Sequence, residues 1–461
     1  MSSVGLADDV ALMSNNMTNL SILLHLTKLY CLKYNVKLVS SKTKLLVYYP
    51  KDYLPNVLFD LLMNPIEIDR VPISPSDCAT HVGVVRSPGG NGPHIGSRLS
   101  AHRKAVFGLI GTGFGRHHYA NPAISLRIEQ IYGSQVLMSG LATIVLTSKE
   151  EKLLDQYYKV HLERLLRLHQ STPSCFVFLS AGRLTFSAQL HLKILSVFGQ
   201  VCRFQNGSNV LTQFAHHIYS STSPSVNSFF WKVRSICLQY SLPHPLSWLT
   251  TKPSKESVRT MGRASVLQYW LNKLRLEAAE LSSLRYLRPN FLCLTKCHPI
   301  LRYCSSSKWE VEKATITIRL LSGRYRLESL TRHFSPLSNR DGFCVLDRCW
   351  KTESEHKGDI ESFLTSCESL AHTRNTLVDS IHKTLLSSYH RLLPLVQELL
   401  QSSPVQFFLD CSTLPQVIRE VQLYGEESLR VLLKLTRNYC FSLHKTRQSI
   451  IQAKFDFDSQ K

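Results

Sequence analysis

Residues 6–12, LADDVAL, place two adjacent carboxylates, Asp8 and Asp9, between apolar residues near the start of the chain. This pattern suits a tight strand–turn–strand in which one acid faces a metal ion. Nucleotidyl transfer needs acids of this kind, because two Mg²⁺ ions about 3.5–4 Å apart clamp the attacking and leaving oxygens. An Asp-Asp pair in a surface turn is also common, so these residues alone fit an ordinary surface turn that binds no metal equally well.

The residues that follow predict short strands and then helices. Apolar residues at helical spacing predict a helix over 18–32, capped by Asn16 or Thr18. Residues 36–39 and 45–49 are predicted to be strands on either side of a polar turn.

Helical patterns predominate after a Pro/Gly/Ser-rich loop at 87–96. Asn121-Pro122 is expected to open one helix, and Ser148 to cap another. The uncharged run 131–148 is interrupted by glycine and serine, so it predicts a buried helix rather than a membrane span. Pro394 is expected to kink the first of three closing helices or to delay its start. The closing helices are predicted at 387–400, 416–423 and 427–452.

The charge of the chain predicts a polyanionic partner. Its 461 residues include 54 Lys+Arg against 33 Asp+Glu, a net charge of +21. Residues 81–120 contain five Arg or Lys, five His and no acid, and residues 251–330 carry 15 basic against 6 acidic residues. Acidic lipid would also match this composition, but neither stretch has the pattern of a basic amphipathic anchor. We therefore expect binding to RNA or DNA through backbone phosphates, and no membrane partner.

The thirteen cysteines are odd in number and are not preceded by a secretory signal. A disulfide framework is therefore not expected, and we predict a soluble, intracellular protein.

The order of motifs after the Asp pair resembles the reverse transcriptase of non-LTR (LINE-type) retrotransposons. A Leu-rich helix, the segment KLVSSKTKLLVY at 37–48 and the segment HVGV at 81–84 follow in turn. In that family a metal-binding turn leads to a helix, then to an Asn-x-x-Lys-Thr segment, and then to a hairpin that grips the primer. Further similarity to the family's thumb lies at 103–105, 111–114, 121–122 and 132–133.

The resemblance implies an α+β fold class: a small partial reverse-transcriptase palm with short antiparallel strands, followed by a mainly α-helical thumb and C-terminal region. It also implies four regions along the chain. These are a partial palm from the metal-binding turn to the primer grip at 1–86, a helical thumb at 97–170, a basic helical connector at 171–340, and a C-terminal region with a degenerate zinc-knuckle-like segment and closing helices at 341–461.

Position by position, the resemblance implies that Asp8 and Asp9 bind Mg²⁺ and that Lys42 lies near the incoming triphosphate. The implied primer grip consists of His81, Val82, Gly83 and Val84. Contacts with nucleic acid are implied for Arg103, Lys104 and Arg116.

Several positions depart from the family's pattern. Leu6 stands where the family has an aromatic residue, and Val39 stands where it has asparagine. In the family the fingers and another metal-binding acid precede the Asp pair, whereas only seven residues precede Asp8 here. We therefore expect a fragment of an RNA-directed DNA polymerase that is inactive alone, because a two-metal site without that ligand loses transition-state stabilisation.

Two alternatives remain open. One is a non-catalytic protein that binds RNA or DNA, and the other is a retroelement remnant without a cellular task that exposes an apolar palm surface. The implied partners are an RNA template, a DNA primer or target, and an upstream palm and fingers portion or another retroelement protein. The resemblance implies a nuclear location.

A cysteine-bearing segment follows residues 320–325, LLSGRY, which resemble the lead-in to a zinc knuckle near the C-terminus of related elements. The candidate zinc ligands are Cys344, Cys349, His356 and Cys367. Their spacing departs from the family's Cys-x-x-Cys…His-x4-Cys pattern, so an eroded site whose cysteines are merely buried is the alternative.

Overall fold

The computed structural model describes residues 2–6, 9–48, 65–111, 120–203, 210–220, 228–327 and 358–458, together with residues 59, 61, 63, 344 and 346. It is mostly helical with few short antiparallel strands, which is consistent with the α+β class. The chain divides into two compact units. The first unit comprises Met1–Val106 with Tyr132–Leu146, and the second comprises Phe107–Ile131 with Thr147–Lys461. The division into four regions stays a prediction.

The first unit begins with the strand–turn–strand that the LADDVAL segment predicts. Strands β1 (Ser2–Leu6) and β2 (Asp9–Met13) are antiparallel, and Leu6 lies opposite Asp9. Helix α1 (Met17–Lys33) follows and contacts β2. The Asn16 side chain accepts a hydrogen bond of 2.8 Å from the Asn19 N–H, so the predicted cap is confirmed.

The two strands predicted after α1 are wrong. Residues 36–39 are irregular, Ser40–Lys42 form a 3-10 turn, and Leu45 makes one isolated parallel bridge with Pro75. The Ser76 N–H donates to the Leu45 carbonyl at 2.9 Å. The bridge does not extend into a ladder, because residues 46–48 pair with no strand among the described residues.

Two further hairpins precede a long helix. Strand β3 (Glu67–Ile68) pairs with β4 (Val71–Pro72), and β5 (Ala79–His81) pairs with β6 (Val84–Arg86), both antiparallel. Helix α2 (Gly92–Gly111) begins within the loop expected at 87–96. Pro93 is compatible with this early start. Backbone N–H groups in the first turn of a helix make no bond within the helix, so proline, which lacks this N–H, fits there.

Residues 131–148 form broken helical turns instead of the single buried helix predicted for them. The chain passes through a π-helical turn (Glu129–Gly133), a short helix (Ser134–Met138) and a 3-10 turn (Leu141–Thr143). Gly140 interrupts the series with a φ of +75°, which favours glycine. The predicted burial holds for part of the run: Leu137 and Leu141 are fully inaccessible, whereas Ile131 and Tyr132 are 47% and 59% exposed. Among the described helices, none has the length and apolar character needed to cross a membrane.

Helices make up the described part of the second unit. After α2 the described helices, in chain order, are α3 (Pro122–Ile128), α4 (Ser134–Met138, in the first unit), α5 (Ser148–Leu165), α6 (Ser174–Ala181), α7 (Phe186–Arg203), α8 (Val210–Ser220), α9 (Phe229–Gln239), α10 (Pro245–Thr251), α11 (Lys255–Ala279), α12 (Pro299–Arg302), α13 (Lys308–Leu321), α14 (Ala371–Ser388), α15 (Leu393–Ser402), α16 (Pro404–Asp410), α17 (Pro415–Tyr424) and α18 (Glu426–Asp458).

Helix boundaries in this unit follow the predicted signals with small shifts. Asn121 caps α3 ahead of Pro122, as expected. Thr147, and not Ser148, caps α5, because its hydroxyl and the Glu150 carboxylate form a reciprocal capping box. Pro394 lies in the first turn of α15, so this helix starts later than predicted.

A polar network joins α7 to three other helices, α5, α9 and α11. The Trp270 indole N–H donates to the Tyr240 hydroxyl at 3.0 Å, and that hydroxyl also lies within hydrogen-bond distance of His191 Nδ1, at 2.8 Å. His191 Nε2 then faces Glu151 Oε1 at 3.3 Å, and Lys232 Nζ lies 2.6 Å from the same oxygen. Burial alone would raise the pKa of Glu151, but the bonds from His191 and Lys232 outweigh it and lower the pKa.

A buried arginine joins the C-terminal helix to the preceding ones. Arg437 on α18 is 2% exposed, and its guanidinium donates to the carbonyls of Ile300 at 3.0 Å and Tyr303 at 3.2 Å. The Glu310 carboxylate lies 3.7 Å away. Burial lowers the Arg437 pKa, yet guanidinium stays charged at neutral pH, so these oxygens must replace its hydration. The contacts fix α18 against α12 and α13.

Gly323 ends α13 in a conformation that only glycine fits. Its φ is +63°, and the N–H groups of Gly323 and Arg324 bond to the carbonyls of Leu320 and Arg319, which is a Schellman motif. A Cβ at this position would lie 2.2 Å from the Ser283 carbonyl oxygen. The turn therefore depends on the missing side chain.

We predict that Gly323→Ala lowers the free energy of unfolding by about 3 kcal/mol, because left-handed strain adds to a clash with backbone. Urea unfolding followed by circular dichroism measures the change. Gly262→Ala is the matched control: its new Cβ would meet Leu195 at an ordinary 3.5 Å inside α11. That variant is expected to be neutral or to gain up to about 1 kcal/mol. Equal destabilisation of both variants would contradict the prediction.

Candidate functional site

The predicted magnesium ligands lie at the first hairpin. Asp9 is the first residue of β2, while Asp8 and the side chain of Asp9 lie outside the described residues. Lys42 is exposed at the end of the 3-10 turn Ser40–Lys42. Asp9 begins the second strand of this hairpin, and the roles of these three side chains stay predictions.

The four predicted primer-grip residues lie together in one hairpin. His81 ends β5 and pairs with Val84, the first residue of β6, so Val82 and Gly83 form a two-residue turn. Their φ values are +51° and +73°, the signature of a type I′ turn. Glycine adopts this backbone easily, but a β-branched valine there is strained. Val82 nevertheless stands at the tip with 49% of its surface exposed.

A buried histidine holds this hairpin. The Val85 N–H donates to Nδ1 of His94, a fully buried residue in the first turn of α2, at 3.2 Å. The ring proton is therefore assigned to Nε2. Burial and the nearby Arg98 lower the His94 pKa, which keeps the imidazole neutral. A Cβ on Gly140 would lie 2.8 Å from His94 Nε2, so Gly140 allows this close approach.

Helix α2 carries the basic residues predicted to contact nucleic acid in the first unit. Arg103 and Lys104 are both exposed, and Arg98 is half-buried. Arg116 lies outside the described residues. Because no acid occurs between residues 81 and 120, the hairpin and α2 carry only positive or neutral side chains. Such a surface favours phosphate.

One face of α1 is apolar and exposed. Ile22, Leu26, Leu29 and Tyr30 recur at helical spacing, and 46%, 55%, 51% and 62% of their surfaces are accessible. The opposite face, which carries Leu20, Leu23 and Cys31, is the more buried one, as the sequence predicts. An exposed apolar stripe of this kind marks an interaction surface.

Two of the four predicted zinc ligands lie close together. The Sγ atoms of Cys344 and Cys367 are 4.0 Å apart, and the two residues are 8% and 2% exposed. Two thiolates on one tetrahedral zinc ion lie about 3.8 Å apart, given zinc–sulfur bonds of about 2.3 Å. A disulfide requires about 2.05 Å, so the two thiols are not bonded to each other. Cys349 and His356 lie outside the described residues.

Cys367 lies in a closely bonded turn. It follows the π-helical turn Ser362–Ser366, and its N–H donates to the Ser362 carbonyl at 2.7 Å. Arg374 donates to its carbonyl at 2.5 Å. These bonds hold the backbone of Cys367 in place beside Cys344.

The LLSGRY segment packs against this region. Tyr325 is buried, its hydroxyl is hydrogen-bonded to His444 Nδ1 at 2.7 Å, and its ring lies 5.4 Å from that of Phe363. Burial and the neighbouring Lys445 and Arg447 lower the His444 pKa to about 4. His444 is therefore neutral at physiological pH.

Sequence inspection missed an exposed aromatic group between lysines in the second unit. Trp309, in the first turn of α13, is 54% exposed. Lys308 and Lys445 each place Nζ 5.6 Å from the centre of its ring. Only the adjacent Lys308-Trp309 pair is visible in the sequence, because Lys445 lies far along the chain on α18.

Comparisons with protein-family models, curated proteins and solved structures found no match to this chain. The functional assignment therefore depends on the residues and their geometry.

We predict that Val82→Asn stabilises the hairpin by about 1 kcal/mol, because asparagine tolerates the left-handed backbone better than valine does. Hydrogen–deuterium exchange of residues 79–86 should slow about fivefold for that free-energy change. Val71→Asn is the control, since Val71 is equally exposed at 48% but lies in a strand outside the positive-φ positions. Faster or unchanged exchange in Val82→Asn would show that the Val82 backbone is not strained.

We predict that His444 makes the second unit sensitive to acid. Its folded pKa of about 4 lies below the ordinary 6.5, so the unfolded chain takes up the proton first as pH falls. Stability from this group is present above pH 6.5 and is lost towards pH 4. His444→Gln should show a smaller drop in the urea midpoint between pH 7.5 and 5 than the wild type. His217→Gln, at an exposed site, should match the wild type.

Proposed function

We propose that the chain binds RNA and DNA as part of an RNA-directed DNA polymerase of the LINE type. The observation that carries this proposal is the His94-anchored type I′ hairpin at 79–86 together with the basic helix α2 that follows it. A hairpin of this shape presents backbone to a nucleic-acid strand, and α2 supplies charge for its phosphates.

In this proposal the first hairpin holds the metal ions. Two adjacent acids at a strand–turn–strand suit Mg²⁺, which takes one or two carboxylates and leaves its other positions to water and phosphate. Bound magnesium would supply charge neutralisation at the reacting phosphates. Lys42 would contact the triphosphate, which its exposed position permits.

The exposed face of α1 fits a partner of the same system. Ile22, Leu26, Leu29 and Tyr30 form an apolar stripe beside the first hairpin, since α1 contacts β2. We propose that a palm and fingers portion, or another retroelement protein, covers it. Burying this exposed apolar area against a partner would stabilise the complex.

Non-catalytic binding of RNA or DNA is the second candidate function. The observation that favours it is the placement of the cations, because Arg103 and Lys104 bind phosphate whether or not the Asp pair is active. A zinc ion held by Cys344 and Cys367 would serve either function by stabilising the C-terminal region.

The test combines primer extension with binding. The purified chain and its Asp8→Ala/Asp9→Ala variant are given an RNA template, a DNA primer and Mg²⁺, and affinity for the same duplex is measured across salt concentrations. We expect both proteins to bind equally, with affinity that falls as salt rises. Extension by the wild type alone establishes the polymerase, and extension by neither leaves non-catalytic binding.

Charge variants test the proposed surface. Arg103→Ala/Lys104→Ala should weaken duplex binding and lower the slope of log affinity against log salt by about 2, one for each phosphate that the variant no longer neutralises. Lys149→Ala/Lys152→Ala is the matched control, because it removes two exposed lysines that lie beside Glu150 and Glu151. Equal effects of the two double variants would reject α2 as a specific nucleic-acid contact.

A further inference from the structure

Trp309 is an exposed tryptophan on a helix that is otherwise well packed. It is 54% exposed, whereas Trp248 and Trp270 are 2% and 9% exposed. The residues that follow it in α13, among them Val311 and Ala314, are buried. Trp309 is therefore not needed to fill the core, and its ring is available to a ligand.

Two lysines and a second aromatic ring surround Trp309. Lys445 Nζ lies 5.6 Å from the Trp309 ring centre and 5.5 Å from that of Phe441, and Lys308 Nζ lies 5.6 Å from the Trp309 ring. The two rings are 6.3 Å apart and inclined at 69°. The ammonium of Lys445 therefore lies beside both rings, and its exposed position makes it accessible to an anion.

The nearest acid in sequence is engaged elsewhere. Glu310 accepts a bond of 2.7 Å from Lys313, and its other oxygen lies 3.7 Å from Arg437. Among the described residues, no carboxylate oxygen lies within 4.0 Å of Lys445 Nζ. The positive charge beside Trp309 is therefore not cancelled by Glu310.

The group is held on a rigid support. Trp309 and Lys308 begin α13, Phe441 and Lys445 lie on α18, and Arg437 fixes these two helices to each other. A ligand would therefore find the rings and cations already in position, which reduces the entropic cost of binding.

We propose that Trp309, Phe441 and Lys445 bind single-stranded RNA or DNA, with an unpaired base stacked on Trp309 and its phosphate beside Lys445. Every base has a face that stacks on an aromatic ring, and a duplex hides those faces. The site is therefore specific for single strands and tolerant of sequence. It rests on the proposed nucleic-acid function, but it lies in the second unit and needs neither the Asp pair nor α2.

The test measures binding of a labelled 15-nucleotide oligouridylate, and of an RNA hairpin duplex, by fluorescence anisotropy. Trp309→Ala should weaken oligouridylate binding about tenfold, as expected when one base can no longer stack. Duplex binding should stay unchanged, and Trp309→Phe should retain most of the oligouridylate affinity. Phe291→Ala is the matched control, since Phe291 is 52% exposed in the same unit. Circular dichroism confirms that each variant is folded.

Lys445→Ala should lower the salt slope for oligouridylate by about 0.7, the value for one phosphate on a single strand. Equal weakening of oligouridylate and duplex binding would overturn the stacking assignment, as would an effect of Phe291→Ala as large as that of Trp309→Ala. A polyglutamate peptide that binds in a Trp309-dependent manner, while oligouridylate does not, would overturn it in favour of an acidic-peptide surface.

The outcomes also separate this inference from the proposed function. If Arg103→Ala/Lys104→Ala leaves duplex binding intact while Trp309→Ala weakens oligouridylate binding, the first-unit surface fails and the single-strand site stands. The reverse pattern leaves the first-unit surface and removes the single-strand site.

Discussion

The second unit depends on one buried cation. Arg437 brings a charged guanidinium out of water, and the carbonyls of Ile300 and Tyr303 with the Glu310 carboxylate replace its hydration. Removing any of these oxygens would leave the buried charge less well compensated, so α12 and α13, which supply them, are held in one arrangement against α18. The long helix α18 thereby becomes the common support for α12 and α13. The positions of side chains on both helices follow from that constraint.

Aromatic contacts extend this support from the surface to the cysteine segment. The ring of Trp309 lies 6.3 Å from Phe441, which lies 6.2 Å from His444, and His444 bonds to Tyr325. Tyr325 then contacts Phe363, in the turn before Cys367. The exposed tryptophan and the Cys344–Cys367 pair thus share one chain of packed rings. A metal ion at the cysteines and a base on Trp309 would act on the same rigid framework.

The first unit is organised differently. Its strands form short hairpins joined by tight turns. The neutral His94 anchors the hairpin at 79–86 by accepting a hydrogen bond from the Val85 N–H. Strain at Val82 and the exposed apolar stripe on α1 both raise the free energy of the isolated unit. Both features distinguish this unit from the well-filled helical one.

Local signals in the sequence were sufficient for the elements with short-range causes. The hairpin around the Asp pair, the Asn16 and Asn121 caps and the late start at Pro394 all depend on residues within a few positions of one another. The strands expected at 36–39 and 45–49 failed because a strand needs a partner, and Pro75 offers only one bridge. The break in the helix at 131–148 could not be predicted from local sequence either. A side chain at Gly140 would clash with His94, which is distant in sequence.

The features of the candidate sites also fall into those visible in the sequence and those that depend on tertiary structure. Composition determined that the chain is basic and that residues 81–120 contain no acid, and the resemblance implied the hairpin at the HVGV segment. Only the tertiary structure decided that Cys344 lies 4.0 Å from Cys367 and that Lys445 lies over Trp309. Residues 308 and 445 meet because two helices pack around a buried arginine, and sequence spacing carries no information about which helix faces meet.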